Sequence, residues 1–151
     1  MRTLAAIVLA LGLITVSEAA GRTEIARVDD YIDAPRALFG RTRADLERRL
    51  GAPVNERARA DGIALSWPGL EITLSPSARV VGVVVHAAGR ALPLGLDVGV
   101  TRADVHAALG EPVEITDERA VYADADGFPN SVEFLFRGGR VTRIRWRFWA
   151  E

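Results

Sequence analysis

The sequence predicts an α+β protein built from two tandem units. Each unit is a short helix followed by an antiparallel β-meander, with the helices packed on one side of the sheet or sheets. Three observations lead there. First, a block recurs at an offset of 59: residues 40–54 read GRTRADLERRLGAPV and residues 99–113 read GVTRADVHAALGEPV. Second, each block carries the start and stop signals of a helix barely two turns long. Third, each is followed by runs in which every second residue is apolar, punctuated by glycine turns.

The chain opens with what reads as a secretory signal peptide over residues 1–19. Arg2 supplies a positive n-region, residues 4–16 are almost all apolar, and Ser17 and Ala19 are small residues at −3 and −1 of a cut after Ala19. That apolar run falls short of the roughly 20 helical residues needed to cross the hydrocarbon of a bilayer. The chain has no cysteine, so none follows the cut to carry a lipid anchor. No later stretch is long and apolar enough to span a membrane. The expected address is therefore periplasmic or secreted, with no membrane span or lipid anchor. Removing residues 1–19 of 151 leaves 132, which must be held by a core because no disulfide can form.

Composition narrows the function classes. All 19 basic residues are arginine, in a chain with a formal net charge of −1. The absence of lysine reads as the signature of a GC-rich bacterial genome, and a near-neutral chain gives no general case for nucleic-acid binding.

After a segment at 20–37, the first unit spans 38–88. Thr42 stands where an N-cap belongs, with Asp45 three residues on as a capping-box partner. Leu46 and Leu50 share one helix face, Gly51 falls just past the end, and Pro53 forbids continuation. Such a helix is too short to stand alone and must dock its apolar pair on something. The meander supplies the surface: Ile63, Leu65 and Trp67 alternate, Pro68-Gly69 turns the chain, and Leu70, Ile72 and Leu74 alternate again before a valine-rich strand at 80–85.

A linker at 89–97 leads to the second unit, 98–151. Thr101, Asp104, Val105, Leu109, Gly110 and Pro112 repeat the helix signals. Val132, Phe134 and Phe136 alternate, Gly138-Gly139 makes a hairpin turn, and Ile144, Trp146 and Phe148 alternate in the last strand. Glu71 and Glu133 match as outward-facing residues. Each unit alone buries too little surface to offset chain entropy, so the two are expected to join edge to edge or pack against one another in one body.

The Gly-x-Thr start, the short helix, the Leu-Gly-x-Pro stop and a meander ending in a glycine turn resemble the β-lactamase-inhibitory-protein-like fold. That fold is shared by the SmpA/OmlA-type lipoprotein of the outer-membrane β-barrel assembly machinery. The resemblance covers roughly residues 38–148, and the tandem arrangement is more similar to the inhibitory proteins. It departs from the family in lacking both the lipidation cysteine and the inhibitors' disulfides, and no partner-contacting residue can be carried over. For function the resemblance implies binding to a protein or association with the envelope.

With one sheet face given to the helices, the far face is where the units differ. Strict alternation places Val80, Gly82, Val84 and His86 there in the first unit. In the second it places Val141, Arg143, Arg145, Arg147 and Trp149, flanked by Arg137 and Arg140. Arginine and tryptophan are frequent interface anchors, and arginine pairs well with carboxylates. The competing reading is an edge strand that its arginines solvate, the stripe pairing with the nine acids of residues 97–133. The apolar Val80/Val84 surface also offers a place for residues 22–37, where Ile25, Val28 and Ile32 have helical spacing.

Catalytic and metal signatures are sparse. The two histidines, His86 and His106, read as structural or solvent-exposed, and neither a nucleophile elbow nor a phosphate-binding glycine loop is present. Asp124, Asp126 and Gly127 resemble part of a calcium loop, but Tyr122 occupies its first ligand position and the closing glutamate is missing. No catalytic residue, metal or cofactor is assigned. The expectation is an exported, non-enzymatic protein-binding or envelope-associated module, its partner a periplasmic or envelope protein. Its candidate site is Arg143, Arg145, Arg147, Trp149, Val80 and Val84. The alternative is a periplasmic small-ligand carrier using a groove between the two units.

Overall fold

A computed structural model describes residues 12–125 and 129–150, with side chains from Ala26 onward. Residues 1–11 of the expected signal peptide and residues 126–128 of the calcium-like loop lie outside the described residues. The elements run α1 (Gly12–Phe39), α2 (Arg43–Leu50), β1 (Asn55–Arg59), β2 (Gly62–Trp67), β3 (Leu70–Leu74) and β4 (Val80–Val85). A 3-10 turn at Pro93–Gly95 precedes α3 (Arg102–Leu109), β5 (Glu114–Ile115), β6 (Arg119–Ala123), β7 (Ser131–Arg137) and β8 (Arg140–Arg147). The fold is α+β, as expected.

The two short helices form for local reasons. Thr42 accepts a hydrogen bond from the Asp45 N–H while the Asp45 carboxylate accepts from the Thr42 N–H, a reciprocal capping box that Thr101 and Asp104 make in the same way. Both helices stop at a glycine with positive φ, Gly51 at 78° and Gly110 at 76°. The carbonyls of those glycines are then held from the meander. Trp67 Nε1 donates to the Gly51 carbonyl at 3.1 Å, and the Tyr122 hydroxyl donates to the Gly110 carbonyl at 3.0 Å. Trp67 and Tyr122 lie near the ends of β2 and β6 at corresponding places, opposite Leu70 and Val132.

All eight strands lie in one antiparallel sheet of order β1-β2-β3-β4-β8-β7-β6-β5. The two meanders meet edge to edge at β4 and β8, which pair Gly82 with Arg147, Val84 with Arg145 and Val85 with Ile144. This joining leaves β1 and β5 as the edges of the sheet. β1 is exposed along its whole length, with Asn55, Glu56, Arg57 and Arg59 discouraging further pairing.

Each closing strand carries a register shift at the same place. Thr73 pairs with Gly82 but Leu74 pairs with Val80, and Leu135 pairs with Arg143 but Phe136 pairs with Val141. The extra residues, Val81 and Thr142, interrupt the alternation. Val80 and Val83, three residues apart, therefore both face the core, as do Val141 and Ile144.

The helices cover one face. Leu46 of α2, Val105 and Leu109 of α3, and Tyr31, Ile32 and Phe39 of α1 join one core with Leu65, Ile72, Val83, Phe134, Ile144 and Trp146. The segment 22–37, offered as a cover for the Val80/Val84 surface, is thus part of a helix on the core side with Val80, opposite Val84, and in contact with both α2 and α3. Its anchor is Tyr31, fully buried and stacked between Phe134 and Trp146 at ring-centroid distances of 5.7 Å each. The Tyr31 hydroxyl donates to the Leu96 carbonyl at 2.7 Å. Leu92 and Leu96 are buried as well, so residues 89–97 contribute to the core.

Candidate functional site

Among the described residues no helix crosses the far face of the sheet where β3, β4 and β8 run side by side, and a groove of about 760 Å³ lies there. Its residues come from both meanders because the β4–β8 pairing brings them together. Val84 lies between Arg145 on β8 and Glu71 on β3, and Gly82 lies between Arg147 and Thr73. Gly82 and Val84 form an uncharged floor, with His86 exposed at the next outward position of the chain.

The charges around that floor sort into two classes. Glu133, on β7, is almost fully buried and accepts from Arg119 at 3.3 Å and from Arg145 at 3.0 Å. Arg119 also pairs with Glu114. On the opposite flank Arg59 pairs with Glu71 at 2.7 Å. The middle arginine of β8 is therefore committed to a nearly dry carboxylate. Arg143 and Arg147 are exposed, and neither makes an ion pair or side-chain hydrogen bond among the described residues. Four arginines (Arg59, Arg143, Arg145 and Arg147) line the groove against two acids, Asp61 and Glu71. The lining is net positive and its unengaged cations stand on β8.

The six expected site residues are thus divided. Arg143, Arg145, Arg147 and Val84 share the groove. Val80 does not: it is 3% exposed and belongs to the core, because the register shift at Val81 turns it under the sheet. Val141, assigned to the same outward row, is 1% exposed for the equivalent reason at Thr142. Trp149 is also elsewhere. It lies beyond the end of β8, is 58% exposed, and lines a separate small hollow with Arg36, Arg41 and Arg79. Its N–H donates to the Asn130 side chain at 2.9 Å, and Arg36 caps the neighbouring Phe148 ring at 4.1 Å.

Strand alternation alone did not reveal Glu133 as the buried partner of two arginines, or Arg59 as the partner of Glu71. The available signal was weak: β1 alternates Asn55, Arg57 and Arg59 on one face without apolar residues, so nothing marks it as a strand. Among the described residues no group of three or more histidines or carboxylates is placed to hold a metal ion. His106 lies away from the groove, on α3, with Glu111 at 3.7 Å.

No family model matches the chain, and no curated protein matches it. Solved structures do share its fold. An extracellular protein containing an SCP domain from Bacillus anthracis superposes with a TM-score of 0.57 at 13% identity, over 74% of this chain and 44% of that one. The chain thus spans less than half the length of that protein. A DUF4309 family protein from Bacillus subtilis superposes with a TM-score of 0.51 at 16% identity, over 82% of this chain and 99% of the other. A candidate β-lactamase inhibitor protein from Streptococcus mutans reaches a TM-score of only 0.30 at 14% identity, over 85% and 96% of the two chains, too slight a likeness to argue from. At these identities the first two establish a shared fold and nothing about activity.

Proposed function

We propose that this chain is an exported, non-enzymatic binding protein whose working surface is the uncovered sheet face across the β4–β8 junction, and that its partner is a protein of the periplasm or envelope. One observation carries the reading. The helices α1, α2 and α3 are spent on the opposite face, while this one presents a groove edged by two arginines, Arg143 and Arg147, that no described residue engages. Exposed guanidiniums set in a groove are poised for planar recognition of carboxylates and for interface anchoring. Export rests on the signal-like residues 1–19. We read the two meanders, with their matching caps and register shifts, as copies of one unit whose outward faces have diverged.

The test is capture from a periplasmic extract with the wild-type chain, the double charge reversal R143E/R147E, and R137E at the β7–β8 hairpin end as a control. Loss of the same partners in the double variant alone supports the reading. Recovery of the same set by all three overturns it. Intact mass of the exported chain, expected to begin at Ala20, checks the address independently.

A small-ligand carrier is the second reading, favoured by the groove's volume of about 760 Å³ and its position between the two units. That volume lies within the range of small-molecule sites, although such sites are mostly apolar and bury most of their ligand. A thermal-shift screen of small carboxylates and phosphates addresses it, and a flat screen counts against it.

A further inference from the structure

Resting on that reading of the sheet face, we infer that the partner presents an extended segment with two acidic side chains four residues apart, laid along β8 with its carboxylates on Arg143 and Arg147. The spacing follows from strand geometry. Residues i and i+4 of a strand share a face and stand about 13 Å apart, and an extended ligand has the same repeat. A segment parallel or antiparallel to β8 therefore brings its own i and i+4 side chains over the two exposed guanidiniums together.

The neighbouring residues refine the segment. Its i+2 side chain falls over Arg145, which Glu133 already holds at 3.0 Å, so a third acid there gains less than the outer two. A small or apolar residue fits better at i+2, because Val84 pairs beside Arg145 and Gly82 beside Arg147, leaving an uncharged floor. Glu71, one strand further on, is already held by Arg59 at 2.7 Å, so among the described residues the β3 side of the groove offers no unengaged cation. The unengaged cations stand on β8 alone, which favours an acidic segment lying there. An acidic ligand lacking this spacing reaches one free arginine at a time.

Fluorescence anisotropy with short labelled peptides tests the inference. Three probes of equal length are compared on the full chain at low salt: glutamates at i and i+4 with alanine at i+2, glutamates at i and i+1, and the first peptide with both glutamates replaced by glutamine. Two exposed charge pairs contribute about 0.4–2 kcal/mol together, so the i/i+4 peptide is expected to bind about two- to thirtyfold more tightly than the glutamine peptide. It is also expected to bind more tightly than the i/i+1 peptide, whose side chains point to opposite faces. R143Q/R147Q should remove the preference, and R145Q should reduce it less. Equal binding of the two acidic peptides, or an unchanged preference in R143Q/R147Q, overturns the inference. Capture of proteins separates the two levels. Partners lost in R143E/R147E with no i/i+4 preference in the wild type leave the sheet face standing and discard this segment. Partners retained by R143E/R147E discard the face itself.

Discussion

Trp146 donates its indole N–H to the main-chain carbonyl of Tyr31 at 3.1 Å, linking residues 115 apart in sequence. The carbonyl is available for a reason inside α1. Its helical donor would be the N–H of residue 35, and Pro35 has none. The proline that costs the helix a hydrogen bond thus creates an acceptor that the sheet fills, and this one bond ties α1 to β8 over the junction of the two meanders. Trp146→Phe removes ring contacts and leaves a buried carbonyl unpaired, at a cost of about 1–3 kcal/mol for the carbonyl alone. Pro35→Ala returns an N–H to that carbonyl. In a double-mutant cycle followed by urea denaturation, Trp146→Phe should therefore cost less on top of Pro35→Ala than in the wild type, by about 1 kcal/mol. Strict additivity would show that the indole bond does not serve the orphaned carbonyl.

The register shift at Val81 makes a contrast that simple alternation erases. Val80 is in the core and Val84 in the open groove, although both are even-numbered residues of β4. Val80→Ala should destabilise by about 1–3 kcal/mol, as expected for trimming a buried valine, while Val84→Ala should stay within about 0.5–1 kcal/mol of wild type. Equal effects in thermal or urea unfolding would deny the shift.

This contrast also marks how far the chain could be read without its structure. The caps, glycine stops and docking faces of α2 and α3 are legible because each is decided within about ten residues of sequence. The alternation of Leu65 and Trp67, or of Phe134 and Phe136, is legible for the same reason. A one-residue bulge depends on what the neighbouring strand pairs with, so Val80 and Val141 looked outward when they are not. β1 was hidden because an edge strand exposed on both faces has no apolar period. Of the site, the arginine stripe was visible. That Glu133 occupies Arg145, leaving Arg143 and Arg147 open, depends on cross-strand neighbours 12 residues apart and could only be seen folded.

The matching capping boxes predict matching costs. Thr42→Ala and Thr101→Ala each remove the side-chain acceptor for an N3 N–H at the start of an eight-residue helix. Each should lower stability by about 1 kcal/mol in urea denaturation, and serine in place of either threonine should recover most of it. A cost at only one site would show that the two helices do not depend on their caps alike.

The same boxes set an acid limit. Hydrogen bonds from the Arg41 N–H and then the Thr42 side chain hold the Asp45 carboxyl below its ordinary range, and Thr101 does the same for Asp104. Glu56 is lowered chiefly by its hydrogen bond from Arg43. Because these folded-state values lie below the unfolded ones, their contribution is complete above the unfolded carboxylate range, about pH 4, and is lost as pH falls through the lower folded values. Stability measured downward from about pH 5 should therefore decline, and D45N/D104N should decline less steeply over the same interval. An unchanged slope would remove the boxes as a source of acid sensitivity.

Glu133 offers the sharpest separation of stability from binding. Its carboxylate is nearly buried and accepts from both Arg119 and Arg145. Glu133→Gln keeps the shape but removes the charge, leaving the partly buried Arg145 without its anion and Arg119 with Glu114 alone. A loss of about 1–3 kcal/mol is expected in urea unfolding. The same change releases Arg145 toward the groove and removes a negative charge beside Arg143 and Arg147. Affinity for an acidic peptide should therefore rise in Glu133→Gln while stability falls. Adding R145Q to E133Q should cancel the gain in affinity without restoring stability. If affinity falls together with stability, Glu133 positions Arg145 for the ligand instead of withholding it, and the middle arginine belongs with the outer two as a contact.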